Sequence, residues 1–141
     1  MPYHRERIEC RILIAHSIRF WHFGGLMKKY KKESDYQHDL ITKIKNRFPD
    51  AFVLKNDPSY IQGIPDLTVL WEDKWATLEC KKSKKDCDKD FTPNQRLYVQ
   101  KMKKMSFSSF IYPENEQEVL DAMERSFQGS SRRRSRVLRS K

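Results

Sequence analysis

Apolar positions recur at steps of three and four through residues 33–48, ESDYQHDLITKIKNRF, which places Tyr36, Leu40, Ile41, Ile44 and Phe48 along one side of a helix. Ser34 with Gln37 fits a capping box at its start, and Pro49 ends it. AFVLK, 51–55, is dense in strand formers. NDPSYIQGIP, 56–65, carries Pro58, Gly63 and Pro65 and reads as loop. Two apolar runs, 67–71 and 75–81, then predict strands around a turn at 72–74. A lysine-rich loop, 82–91, leads into TPNQRLYVQKMKKM, where Thr92 is a natural N-cap, Pro93 suits the first helical position and Gln95 completes a second capping box. FSSFIYP predicts a short strand, and a last helix from about 115 to 127 turns Val119, Leu120, Met123 and Phe127 inward. The order is αβββαβα, an α/β pattern without internal repeats.

The first 26 residues fit this scheme poorly: two aromatic-rich clusters stand there without a cap or a clear partner. GGLM, 24–27, is what a translated purine-rich ribosome-binding sequence, spacer and start codon would spell. Either residues 1–26 form a helix that packs on the domain, or they are an extension outside the native protein and translation begins at Met27; GGLM favours the second.

At 141 residues the chain has the length of one domain with a modest core. No apolar run is long enough to span a bilayer, and CRILIAH, 10–16, is too short and interrupted for a signal peptide, so a soluble, unexported protein is expected. Cys10, Cys80 and Cys87 form no CxxC pair and read as reduced thiols of a cytosolic protein. His4, His16, His22 and His38 show no ligand spacing, and His38 reads as a solvent-facing helix residue.

The formal charge of +10 suggests a nucleic-acid partner only after it is partitioned. Residues 1–26 hold four arginines against two glutamates, and residues 27–127 hold 19 basic against 17 acidic side chains. Residues 128–141 carry five arginines and a lysine with no acid. Most of the excess is a basic tail that reads as a disordered arm, whose Arg132, Arg133 and Arg134 can still hold phosphates through counterion release.

GIPDLTVLWEDKWATLECKK, 63–82, concentrates the chemistry. Glu79 and Lys81, two apart on a strand, share a face, and a hairpin closing around 72–74 sets Asp66 across from Glu79. Two carboxylates 4 to 5 Å apart repel by roughly 3 to 4 kcal/mol at an effective dielectric of 20. Lys81 supplies one compensating charge. A hard divalent cation between Asp66 and Glu79 supplies a better one, since Mg²⁺ takes one or two carboxylates and fills its remaining positions with water and phosphate oxygen. Lys81 would then orient the attacking water or stabilise the developing oxyanion of a phosphodiester under hydrolysis. The plainer alternative makes Asp66 a turn cap and Glu79 with Lys81 an exposed pair on an edge strand. Trp71 and Trp75 flank the turn, where core packing is expected ahead of base stacking.

Pro65-Asp66 followed by Glu79-Cys80-Lys81, in this element order, resembles the PD-(D/E)xK nuclease superfamily. YIQGIPDLTVLWEDKWATLECKKSKK with PNQ at 93–95 is similar to its VRR-NUC (virus-type replication-repair nuclease) family, above all to the small stand-alone proteins of bacteriophages. The similarity covers about residues 33–127. It implies a restriction-endonuclease-like core with a central mixed sheet flanked by helices, with Asp66 and Glu79 as metal ligands, the Cys80 backbone carbonyl as a third, and Lys81 as the catalytic lysine. Gln95 matches the family's glutamine, supporting the lysine or the scissile phosphate, while its other reading is a capping side chain. Many relatives place an acid on the first helix. Of Glu33, Asp35, Gln37 and Asp39, only Gln37 lies beside the inward Leu40 and Ile41, which would leave that acid absent.

Lys82, Lys84, Lys85 and Lys89 follow the catalytic strand and are expected to contact phosphates, which position a nucleic acid without reading its sequence. The resemblance implies a Mg²⁺- or Mn²⁺-dependent DNA endonuclease acting on branched, Holliday-junction-like duplex. It would work as a homodimer in the cytoplasm of a phage-infected bacterium, without a membrane or a small-molecule cofactor. The alternative is a nucleic-acid-binding module of the same fold, silent or dependent on a partner for activity. Intact mass of the native protein tests the start site: a chain beginning at Met27 is expected, and one that retains Met1 contradicts it.

Overall fold

A computed structural model describes the backbone of residues 27–138 and the side chains of 27–129. The elements are α1 (Glu33–Arg47), β1 (Phe52–Lys55), β2 (Leu67–Trp71), β3 (Lys74–Cys80), α2 (Lys84–Lys89), α3 (Pro93–Met105), β4 (Phe107–Ile111) and α4 (Glu116–Leu138). The strands form one mixed sheet in the order β1-β2-β3-β4; β1, β2 and β3 run antiparallel in turn, and β4 lies parallel to β3. The α/β class and the mixed sheet flanked by helices are as the pattern and the resemblance implied.

Alternation along the strands decides which side is the core. Leu67, Val69, Ala76, Leu78, Cys80 and Ile111 pack against Tyr36, Leu40, Ile44 and Phe48 of the first helix and its cap, and against Val119, Leu120, Met123 and Phe127 of α4. Each fully buried side chain of this size contributes about 1.5–3 kcal/mol. Phe127 closes one end of the core, edge-on to Phe48 at 5.6 Å and stacked on Trp71 at 5.7 Å between ring centroids, so Trp71 packs as expected. Arg47 ties α1 to α4 through Asp121 at 2.6 Å and through Glu124. The opposite face is covered by α3 only over β3 and β4. Phe52, 70% exposed, and the exposed Leu54 and Leu70 are left facing outward. No helix among the described residues is long and apolar enough to cross a membrane.

Four boundaries differ from the sequence pattern. The capping box at Ser34 does not form, because the N-cap lies two residues earlier; it is the extended Lys32, without a side-chain bond, and Glu33 and Asp35 supply negative charge to the first turn. The stretch 82–91 is not all loop. Ser83 caps α2 by accepting from the Asp86 N–H at 3.2 Å, a Ser-x-x-Asp signature overlooked among the lysines, and Cys87 is buried beneath it. The first strand begins at Phe52. Finally, α4 runs through 128–138, the stretch read as a disordered tail; no proline interrupts it, and Gly129 alone does not stop it. Residues 1–26, with Cys10, His4, His16 and His22, and the side chains of Arg132, Arg133 and Arg134 lie outside the described residues. Cys80 and Cys87 are free and buried, and His38 is exposed.

Leu78→Ala should lower the unfolding free energy by about 2–5 kcal/mol in a urea titration. Leu54→Ala, on the exposed part of the sheet, should change it by about 0.5 kcal/mol or less.

Candidate active site

The register of the β2–β3 hairpin, Leu67 opposite Leu78 and Trp71 opposite Lys74, brings Asp66 and Glu79 side by side at the hairpin's open end. Its closed end is a two-residue turn in which Glu72 takes a left-handed φ of 53°. Asp66 is held from both sides of its peptide. The Asn56 N–H donates to the Asp66 carbonyl at 2.8 Å, and Asn56 Nδ2 donates to the Pro65 carbonyl at 2.7 Å and to Thr68 Oγ1 at 2.8 Å. The Asp66 carboxylate in turn accepts from the Cys80 N–H at 2.8 Å through Oδ2. The pair is thereby fixed before any side chain of the helices reaches it.

Glu79 is 1% exposed and Lys81 5%. Lys81 Nζ lies 3.5 Å from Glu79 Oε1 and 3.9 Å from Glu33 Oε2. Gln95 Nε2 donates to Glu79 Oε1 at 2.6 Å, while Gln95 Oε1 accepts from the Thr92 N–H at 2.9 Å. The two readings of Gln95 are therefore joined in one amide: its oxygen completes the capping box of α3 and its nitrogen holds a site carboxylate, not the lysine. Glu79 Oε2 is buried and has no hydrogen-bond partner. An ionised oxygen in that position lacks both water and a donor.

Burial dominates the electrostatics. It raises the Glu79 carboxyl, with the Asp66 charge adding to the effect and Lys81 opposing it, to a pKa of about 8. Burial also raises Asp66, against the Cys80 N–H bond, the charges of Lys81 and Lys55, and a hydrogen bond with Gln37. Glu33 is raised by burial and pulled back by Lys81. The Cys80 thiol is pushed well up by burial and packs in the core, so its side chain takes no part.

Asp66, Glu79, Lys81, Gln95 and Gln37 thus meet in one place. Glu33 joins them, although the sequence favoured Gln37 in its stead; their spacing of four puts both on one side of α1, a signal that adjacency to Leu40 and Ile41 obscured. Lys55, opposite Leu67 at the end of β1, was also missed, as was Asn56. Of the expected phosphate contacts, Lys82 is half-buried and close enough to Glu33 to lower its pKa. Lys85 and Lys89 are exposed on α2. Lys84 is paired with Asp88 at 2.8 Å, one turn along that helix.

Among the described residues no group of three or more His, Cys, Asp or Glu side chains is placed to hold a metal ion by itself. The oxygens on offer are those of Asp66 and Glu79, with backbone carbonyls at the strand end, a hard set of the kind Mg²⁺ accepts alongside water. No family model, curated protein or solved structure matches the chain.

Folded Glu79 keeps a proton that the unfolded chain releases near pH 4.5, so the folded state binds more protons between about pH 4.5 and 8. Stability must fall as pH rises through that window, and the raised Asp66 and Glu33 act in the same direction. In EDTA, the melting temperature should drop by at least about 5 °C from pH 5 to pH 8. Glu79→Gln should flatten much of that slope; a wild-type melting temperature that rises over this range contradicts the assignment.

Proposed function

We propose that this chain is a divalent-metal-dependent endodeoxyribonuclease with a PD-(D/E)xK core of the VRR-NUC type. The observation that carries the reading is the buried Glu79 carboxylate, one oxygen gripped by Gln95 and the other unpartnered, beside Asp66 and Lys81. Glu116 Oε2, whose partner oxygen pairs with Lys43, and the Tyr36 hydroxyl are also buried without a donor, so what singles out Glu79 is its place between a second carboxylate and a buried lysine. The order of elements, with PD entering one strand and ExK ending the next, supports the same reading.

In it, Asp66 and Glu79, with the Cys80 carbonyl, would hold Mg²⁺ or Mn²⁺. When bound, the ion would neutralise phosphate charge and lower the pKa of water. Lys81, the buried ammonium between Glu79 and Glu33, is placed to donate to an incoming water or to the phosphate oxygen on which charge develops. Gln95 keeps the Glu79 carboxylate in one rotamer, so the ligand is preorganised. Glu33, 3.9 Å from Lys81 Nζ, would supply the first-helix acid that assigning Gln37 to that position leaves absent. Lys55, whose charge reaches Asp66, and Lys82, whose charge reaches Glu33, flank the open end and would steer a phosphate backbone towards it.

The substrate is proposed to be branched, junction-like DNA cut by a homodimer in a phage-infected bacterial cytoplasm. With little surface on so small a domain for reading bases, recognition would rest on backbone shape. The test is a gel assay on a four-way junction, a splayed duplex, linear duplex and single strand with Mg²⁺, Mn²⁺ or EDTA. Metal-dependent, symmetric cuts in the junction are expected. Asp66→Ala and Lys81→Ala should each lower the rate by roughly 10²–10³-fold or more while junction binding persists. Binding without cleavage under every condition would instead favour the binding-module alternative.

A further inference from the structure

Gly63 has a left-handed φ of 88°, and the loop bearing it lies against the first turn of α3. A Cβ at this position would stand 2.5 Å from Asn94 Cβ, 2.9 Å from the Asn94 carbonyl carbon and 3.0 Å from the Gln95 nitrogen. Two of these three atoms are backbone, which cannot swing aside as the end of a side chain can. The atoms pressed upon belong to Asn94 and to the backbone nitrogen of Gln95, the residue whose side-chain amide grips Glu79, and the pressing loop is the one that delivers Pro65 and Asp66 to the hairpin.

We propose that Gly63 is a positioning residue: its missing side chain lets the loop that carries Asp66 seat the start of α3, so that Gln95 is aimed at Glu79. The two carboxylates reach the site on different strands; Asp66 is held by Asn56 and the Cys80 N–H, so the loop–helix contact acts on Glu79, through Gln95. The glycine is required twice, once for its φ and once for the close approach. The catalytic consequence rests on the nuclease reading; the geometric one does not.

Gly63→Ala should lower kcat by roughly 10²-fold, with KM changed by about threefold or less. Gln95→Ala should do the same, and because both act through one amide, the double variant should be no slower than the worse single variant. Gly63→Asn tolerates the left-handed φ but carries a Cβ, so it should share the loss. Asn94→Gly added to Gly63→Ala removes the nearest obstructing atom and should recover part of the rate. Independently of cleavage, the side-chain amide resonances of Gln95 should shift in Gly63→Ala at a temperature where the variant remains folded. Losses that multiply in the double variant, or Gln95 resonances that do not move, overturn the proposal. A wild type that cuts nothing overturns the nuclease reading, and the resonance comparison still decides the contact.

Discussion

Moving a carboxylate out of water costs several kcal/mol unless donors or cations replace its hydration. Glu79 is almost wholly out of water, and the chain answers that cost only in part: one hydrogen bond from Gln95, one ammonium from Lys81, and nothing on the second oxygen. With Asp66 alongside, the outcome is a carboxyl that keeps its proton up to a pKa of about 8. A fold selected for stability alone could place Thr or Val there, as it does at neighbouring strand positions. The unsatisfied oxygen, beside Asp66 and Lys81, is the observation behind the proposal that a divalent cation completes the site.

That incomplete compensation shapes the surroundings. The Thr92 cap and Pro93 fix where α3 begins, which fixes Gln95. Asn56 pins the Pro65–Asp66 peptide, so Asp66 can receive the Cys80 N–H. On the other face of the sheet, α1 enters with Glu33 and Gln37 at its first turns and buries Tyr36, Leu40 and Ile44 beneath them. The core therefore serves as a rigid mount: α1, β2, β3 and α3 each bring a polar residue to one end of the sheet, and each is locked elsewhere by apolar packing.

Much of this was legible in the sequence. The apolar periodicity of α1, the strand alternation and the Thr-Pro-x-Gln cap are local signals, and they marked the elements and the hairpin register that brings Asp66 to Glu79. Gln95 was legible as a cap or as a site residue, but its use of both amide ends at once depends on how α3 approaches β3, which no local pattern encodes. Glu33 was passed over for the same reason, since its role depends on where the Lys81 side chain reaches. The short α2 was hidden because six residues, three of them lysines, carry no periodicity; only Ser83 and Asp86 announced it. Gly63 read as a breaker, and its close approach to Asn94 is a tertiary fact.

The carboxylate pair at the open end of the hairpin, with Glu79 held protonated by its burial, is proposed to take up a divalent cation. Calorimetric titration of the chain with Mn²⁺ at pH 7, repeated in buffers of different ionisation enthalpy, tests it most directly. Binding accompanied by release of about one proton, with both lost in Glu79→Gln, is the predicted result. Absence of binding, or binding that releases no proton and survives the substitution, would contradict the account.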